Sequence, residues 1–258
     1  MIVNFFKYYK NIYFPNLFFL IRVTKIFFSK KLSIYKIIFH YILDSGFKNL
    51  YFRFKHKNNK RIFQSYINKN LVLTKDWFTH NIPVWNSIFD KEFKRDDNLK
   101  ILEIGSFEGL SSFYFLDFFK VAKIHCVETF TGSDEHSEYD FNRIKKNFSS
   151  NMSKFETRYQ LFDGSSDKFF TSNIDNDNFD IVYIDGSHKY EDVLNDAKNS
   201  IKLLNKNGII IFDDFLRQYY ENISENPSKA IIEFLIDNEK IIKILNVDYQ
   251  LIIQKKKL

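Results

Sequence analysis

Three acids and a histidine stand out in the second half of the chain. Asp185 and His188 lie in Tyr183-Ile184-Asp185-Gly186-Ser187-His188, and Asp213 and Asp214 close Ile211-Phe212-Asp213-Asp214. Both groups follow short apolar runs that read as adjacent parallel strands, and ligands bind at the carboxyl ends of such strands in open α/β sheets. Three carboxylates gathered at one edge repel one another unless a cation or protons intervene. A Mg²⁺-like ion with oxygen ligands and retained water is the simplest resolution for Asp185, Asp213 and Asp214. Such an ion would hold a substrate hydroxyl and lower its pKa. His188 suits the general base that removes that proton, since an unperturbed imidazole titrates near about 6.5. The competing readings are structural: a hydrogen bond at a helix start for His188, and structural or cofactor-orienting roles for the aspartates.

A second constellation lies upstream. In Ile101-Leu102-Glu103-Ile104-Gly105-Ser106-Phe107-Glu108-Gly109, a strand runs into Glu-x-Gly-x-x-x-Gly and then a helix. The glycines permit a sharp turn and a close backbone approach, and the helix start offers unpaired N–H groups. A pyrophosphate site would want Gly-x-Gly-x-x-Gly, but Phe107 occupies the middle glycine's place. Glu103 would repel a phosphate and could accept hydrogen bonds from an ammonium. Glu128, 23 residues past Gly105, ends the next strand, where an acid typically takes ribose hydroxyls. Phe162-Asp163-Gly164-Ser165 is placed to line a purine pocket, although a plain turn and helix cap would look the same.

The elements that must carry these residues alternate. Apolar runs at 100–104, 123–127, 158–162, 179–184 and 208–212 read as strands, with helices near 109–119, 138–149, after Ser165, and over about 190–204. The last of these helices has apolar Tyr190, Val193, Leu194, Ala197, Ile201 and Leu204 at helical spacing. Asn226-Pro227 reads as an N-cap with proline at the first helical position, opening a helix to about Asn238. Runs at 241–245 and 249–253 would close the sheet as a hairpin-like pair. This alternation predicts an α/β fold with a doubly wound, mostly parallel, seven-stranded sheet.

With those motifs in order, the chain resembles class I S-adenosylmethionine-dependent methyltransferases, and within them the small-molecule families related to macrocin O-methyltransferases. Four stretches carry the likeness: "DWFTHNIPVW", "LEIGSFEGLSS", "CVETFTGSDEH" and "YIDGSHKYEDVLNDAKNSIKLLNKNGIIIFDDF". The resemblance covers about residues 74–254 and implies a Rossmann-like fold with S-adenosylmethionine as cofactor. It implies that Gly105 and Ser106 flank the methionine moiety and that Glu128 binds the ribose. The cofactor set becomes Glu103, Gly105, Ser106, Gly109, Ser111, Glu128, Thr129, Asp163, Gly164, Ser165 and Asp185. It further implies Asp185, Asp213 and Asp214 as Mg²⁺ ligands, with His188 and Asp185 catalytic, and a small-molecule or glycan-type acceptor. Asn207-Gly208 replaces the two glycines common in the family. Trp77 and Trp85 would lie in the acceptor pocket or pack on the core, and Glu135-His136 would line that pocket or sit on a loop.

The charge is split along the chain. The net charge is +6, yet residues 1–60 carry twelve Lys/Arg against one acid, Asp44, leaving the remainder acidic at −5. A basic block favours anionic partners. Its longest uncharged stretch, Asn11–Ile21, is 11 residues and contains Pro15, well short of the ~20 residues of a spanning helix. Residues 1–70 therefore read as a basic, aromatic-rich helical extension ahead of a catalytic domain at 71–258. The extension either lies peripherally in a membrane interface or packs on the catalytic domain. Aromatic–basic interleaving also suits nucleic acid, but no recognition motif accompanies it and the catalytic part is acidic. The lone Cys126 permits no intramolecular disulfide and no zinc spacing, which fits a reducing cytoplasm. A homo-oligomer is compatible with the sequence, which does not specify one.

Overall fold

A computed structural model describes residues 7–132, 138–172 and 178–257, with the side chains of 28–33 outside the description. Glu135-His136 therefore lie outside the described residues. In chain order the helices are α1 (Phe14–Thr24), α2 (Lys31–Leu43), α3 (Asn49–Lys55), α4 (Lys57–Asn70), α5 (Ile82–Glu92), α6 (Leu110–Phe118), α7 (Phe141–Met152), α8 (Ser166–Thr171), α9 (Tyr190–Leu203) and α10 (Pro227–Asp237). The strands are β1 (Lys100–Ile104), β2 (Lys123–Glu128), β3 (Tyr159–Asp163), β4 (Phe179–Ile184), β5 (Leu204–Phe212), β6 (Ile242–Val247) and β7 (Leu251–Lys255). The strand order is β3-β2-β1-β4-β5-β7-β6, a mostly parallel seven-stranded sheet of the expected class.

The chain divides into two compact units, residues 51–186 and residues 1–50 with 187–258. In the first, β1 pairs in parallel with both β2 and β4, and β2 with β3. The chain builds outward from β1 to β3, then returns to β1's other side as β4. That reversal opens a crevice beyond the strand ends, where ligands sit in such sheets. Lying between two strands, β1 is apolar on both faces, with Ile101, Leu102 and Ile104 buried. Helix α6 is buried over nearly its whole length, including four aromatic side chains, so its sequence is apolar all round. Helix α7 starts at Phe141, later than the apolar pattern suggests, because the Asp140 carboxylate caps the Asn142 and Arg143 N–H groups.

In the second unit, β5 and β6 flank β7 with antiparallel pairing. Strand β5 begins at Leu204, with Asn207 in the left-handed region at φ 60° and its carbonyl accepting from Gln254. Pro227 does open α10, but the Asn226 side chain caps nothing. Instead its amide accepts from the Tyr219 and Tyr220 N–H groups and donates to the Tyr220 and Asn222 carbonyls, stapling the preceding loop. The N-terminal segment is anchored here. Asp44 accepts from the Val247 N–H, while Ser45 and Asn49 donate to the Asp248 carboxylate at 2.9 and 2.8 Å. Helix α1 packs on α10 and α2 on β6, so this segment is a packed extension. No helix among the described residues is long and apolar enough to cross a membrane.

Candidate active site

The crevice of unit 51–186 is built on Gly105. At φ +86° this residue lies where only glycine is comfortable, and a Cβ there would stand 2.1 Å from the Asp185 carbonyl oxygen. The Asp185 N–H in turn donates to the Ile104 carbonyl at 2.8 Å. The tips of β1 and β4 thus meet backbone to backbone, with no side chain between them.

Beneath this turn Glu103 is fully buried and accepts from the Ser112 hydroxyl. Burial pushes its carboxyl up to about 7, opposed by the nearby serine hydroxyls, Ser112 among them. Its Oε1 and the Ser106 Oγ, both buried, have no hydrogen-bond partner in the protein. Buried polar atoms left unpaired cost free energy, so two such atoms beside a glycine cradle mark a place for a polar ligand. Cys126 is also buried in this core, its thiol pushed up by burial, and takes no part in the crevice.

Glu128 ends β2 and accepts the N–H groups of Phe107 and Phe130 at 2.8 and 2.9 Å. Both donors are non-glycine residues at positive φ, 46° and 50°, a strain typical of functional sites. A carboxylate has about four lone-pair positions, so Glu128 retains acceptor capacity. Thr129 turns its hydroxyl to Thr131. Asp163 is paired with Lys145, Gly164 donates to the Glu128 carbonyl, and Ser165 caps α8 through the Lys168 N–H. The cap reading of Ser165 therefore describes its present contacts.

A strap the motifs alone did not reveal closes this crevice. Residues 71–78 are held by Glu108, whose carboxylate accepts the Thr74 N–H and hydroxyl at 2.7 Å each and the Asn147 amide. Asn151 pins both polar groups of Val72. Trp77 meets Phe107 at 5.0 Å and Tyr139 at 5.9 Å, ring centre to ring centre. Together with Gly105, Ser106, Ser111, Tyr183 and Asp185, the strap encloses a cavity of about 50 Å³. That is room for a few waters, so admitting a nucleoside requires the rings to part. Lys75, 5.0 Å from the Trp77 ring, is the one base lining the cavity among the described residues. Trp85, by contrast, is fully buried and packs on Phe78, Phe115 and Tyr183, a core residue.

Asp185 accepts from the Tyr183 hydroxyl at 2.9 Å. The remaining candidates lie in the other unit. Asp213 accepts the Asp214 N–H, and the Asp214 carboxylate faces His188 Nε2 at 3.0 Å. Asp214 also accepts from the hydroxyls of Tyr219 and Tyr249, and the His188 and Tyr219 rings stack at 3.9 Å. Burial pulls Asp214 toward the neutral acid, but His188 and the two phenols outweigh it and hold the carboxyl below its usual range. Burial and the adjacent carboxylate raise both phenols, so their hydroxyls stay protonated as donors. Tyr219 and Tyr249 are the site residues the motifs missed.

Residues 102–215 match the family model of a methyltransferase domain. Solved structures share the fold: a putative caffeoyl-CoA O-methyltransferase from Staphylococcus aureus superposes at TM-score 0.52 and 16% identity, over 81% of this chain and 99% of that one. An O-methyltransferase from Bacillus cereus, solved with SAH, matches at TM-score 0.52 and 16% identity over 77% and 90% of the two chains. The methyltransferase MycE, solved with Mg, SAH and mycinamycin VI, matches at TM-score 0.55 and 16% identity over 76% and 54%. In sequence, an uncharacterised protein R132 of Acanthamoeba polyphaga mimivirus is 30% identical over 125 residues, 48% of this chain and 54% of that protein. The chain thus spans about half the length of that relative. The Gly105 turn lies just inside the matched stretch and Asp214 close to its end.

Proposed function

We propose that this chain is an S-adenosylmethionine-dependent O-methyltransferase acting on a hydroxyl of a small-molecule or glycan-type acceptor, with residues 71–258 as catalytic domain and 1–70 as its extension. The observation that carries this is the Gly105 cradle with the unpaired Glu103 Oε1 and Ser106 Oγ beside it. Glu103 takes the ammonium of the methionine moiety, with Ser106, Gly109 and Ser111 around it. Glu128, flanked by Thr129, takes the ribose hydroxyls, and Asp163, Gly164 and Ser165 border the purine. Bound there, the cofactor supplies an electrophilic methyl on a sulfonium. His188, held by Asp214, removes the proton from the acceptor hydroxyl. It lies three residues past Asp185, a wall of the cofactor cavity.

The donor chemistry of Asp185, Asp213 and Asp214 suits a hard divalent cation such as Mg²⁺, and MycE was solved with Mg. When bound, it would lower the pKa of the acceptor hydroxyl. One observation favours a second reading. Asp214 already faces His188 and accepts two phenols, which orients the imidazole without any metal. Calorimetry with S-adenosylhomocysteine, then methyl transfer from labelled cofactor to candidate acceptors with and without EDTA, tests both readings. No binding by the intact chain ends the proposal, and full turnover in EDTA selects the metal-free form.

Glu103 gives that binding a pH signature. Its folded pKa of about 7 exceeds the ordinary 4.5, so its stabilising contribution is full below about 4.5 and is lost as pH rises through 7. The free protein therefore melts lower as pH rises across that window. An ammonium ligand needs the ionised carboxylate, so affinity for S-adenosylhomocysteine climbs up to about tenfold per pH unit below 7 and levels above it. Glu103→Gln flattens the curve; a wild-type curve that is already flat excludes Glu103 as the ammonium acceptor.

Lys75 supplies the opposite charge. Every acid lining the cavity repels the methionine carboxylate, and Lys75 alone attracts it. Lys75→Met is expected to weaken S-adenosylhomocysteine about tenfold, while 5′-methylthioadenosine, which lacks the carboxylate, keeps its affinity. Equal losses for both ligands would remove Lys75 from this role.

A further inference from the structure

Helices α1 and α2 are apolar on both sides. Their inner faces bury Phe19, Leu20 and Val23, and Ile34, Ile37 and Tyr41. Their outer faces should then be polar, and they are not. Along α1, Phe14 and Phe18 stand 46% and 62% exposed one turn apart, followed on the same stripe by Arg22. Along α2, Tyr35, Phe39 and Ile42 are exposed at helical spacing, with Phe39 at 59%. Phe47 continues the pattern at 68%. A helix apolar all round belongs in a core or against lipid, and exposed apolar patches of this size mark interaction surfaces.

The charges choose the partner. The first acid in the sequence is Asp44, which is buried and tied to Lys48 and the Val247 N–H. Among the described side chains of residues 7–43, the exposed charged ones are all cationic: Lys7, Lys10, Arg22, Lys25 and Lys36. Aromatic rings flanked by cations, with no anion, complement a surface that is negative outside and apolar beneath. A lipid bilayer with anionic headgroups has that profile, and each nearby Lys or Arg adds to the attraction. At 11 and 13 residues, both helices lie along such a surface, since a spanning helix needs about 20.

We propose that the outer faces of α1 and α2, with Phe47, form a peripheral docking surface for anionic membranes. This stands apart from methyl transfer and needs no turnover to test. The full chain is sedimented with vesicles of phosphatidylcholine alone, and with vesicles in which about a quarter of the lipid is phosphatidylserine. Binding to the anionic vesicles is expected, falling at least tenfold in about 0.5 M NaCl, which screens exposed charges. Phe18→Ser with Phe39→Ser lowers vesicle affinity at least tenfold while the thermal melt holds, because both rings are already in water. A separate Arg22→Gln, Lys25→Gln, Lys36→Gln variant does the same. Three results overturn the proposal: no vesicle binding at low salt, undiminished binding of both variants, or a dimer in sedimentation equilibrium that Phe18→Ser and Phe39→Ser dissolve. Salt-sensitive RNA binding without vesicle binding would assign the surface to nucleic acid.

Discussion

Gly105→Ala is expected to lower stability by about 3 kcal/mol and to abolish measurable S-adenosylhomocysteine binding. Two costs add. A φ of +86° strains any L-side chain by about 1–2 kcal/mol. The new Cβ also falls 2.1 Å from the Asp185 oxygen, 2.5 Å from its carbonyl carbon and 2.7 Å from the Gly186 Cα. These are backbone atoms, so the β4 tip must retreat, taking Asp185 and its bond to Ile104 with it. Gly46→Ala is the control, because its Cβ would meet only the Tyr13 ring and hydroxyl, no nearer than 3.4 Å. Denaturant unfolding and calorimetry of both variants read the difference. If Gly105→Ala melts and binds like the parent, the close approach of the strand tips has been misread.

His188→Ala is expected to reduce kcat by about a thousandfold, the upper-middle range for loss of a general base, with cofactor affinity unchanged within about threefold. Asp214→Asn should follow it more weakly. An amide keeps one acceptor oxygen for one phenol and turns its NH2 to the other, and it no longer stabilises the imidazolium that forms as the proton is taken. Asp214→Ala is a poorer probe, since Tyr219 and Tyr249 would each lose a buried acceptor at about 1–3 kcal/mol. Tyr249→Phe keeps the histidine contact and isolates the share of one phenol. Turnover and S-adenosylhomocysteine affinity measured together decide it. Full turnover in His188→Ala removes the base; a parallel loss of affinity would make His188 a cofactor residue instead.

The strands were legible because a parallel sheet buries both faces of its inner members, and runs such as Ile101–Ile104 and Phe179–Ile184 announce this by composition alone. Helix starts were less so. The helix after β2 begins where Asp140 caps it, and one capping acid among many polar residues leaves little trace in hydropathy. Asn226 occupies the right place for a cap, yet its amide is drawn to a loop whose shape no local pattern encodes. The places of Gly105 and Glu128 at the ends of β1 and β2 were readable because the turn demands residue types at fixed spacing. The environment of Asp214 was not. Its phenol partners come from five and thirty-five residues downstream, and a tyrosine's hydroxyl target depends on tertiary placement. Glu108 was passed over for the same reason: its role is to hold Thr74, thirty-four residues upstream.

The anchoring of Asp44, Ser45 and Asn49 on the turn between β6 and β7 bears on biogenesis. Ser45 and Asp248 are 203 residues apart in sequence, and the unit they share is made from the first and last parts of the chain. Residues 51–186 emerge from the ribosome before residues 187–258. Helices α1 and α2 precede them, and the faces that pack on α10 and β6 stay uncovered until residues 227–247 emerge. Chains stopped short of α10 would therefore present that apolar, cationic segment to chaperones and proteases.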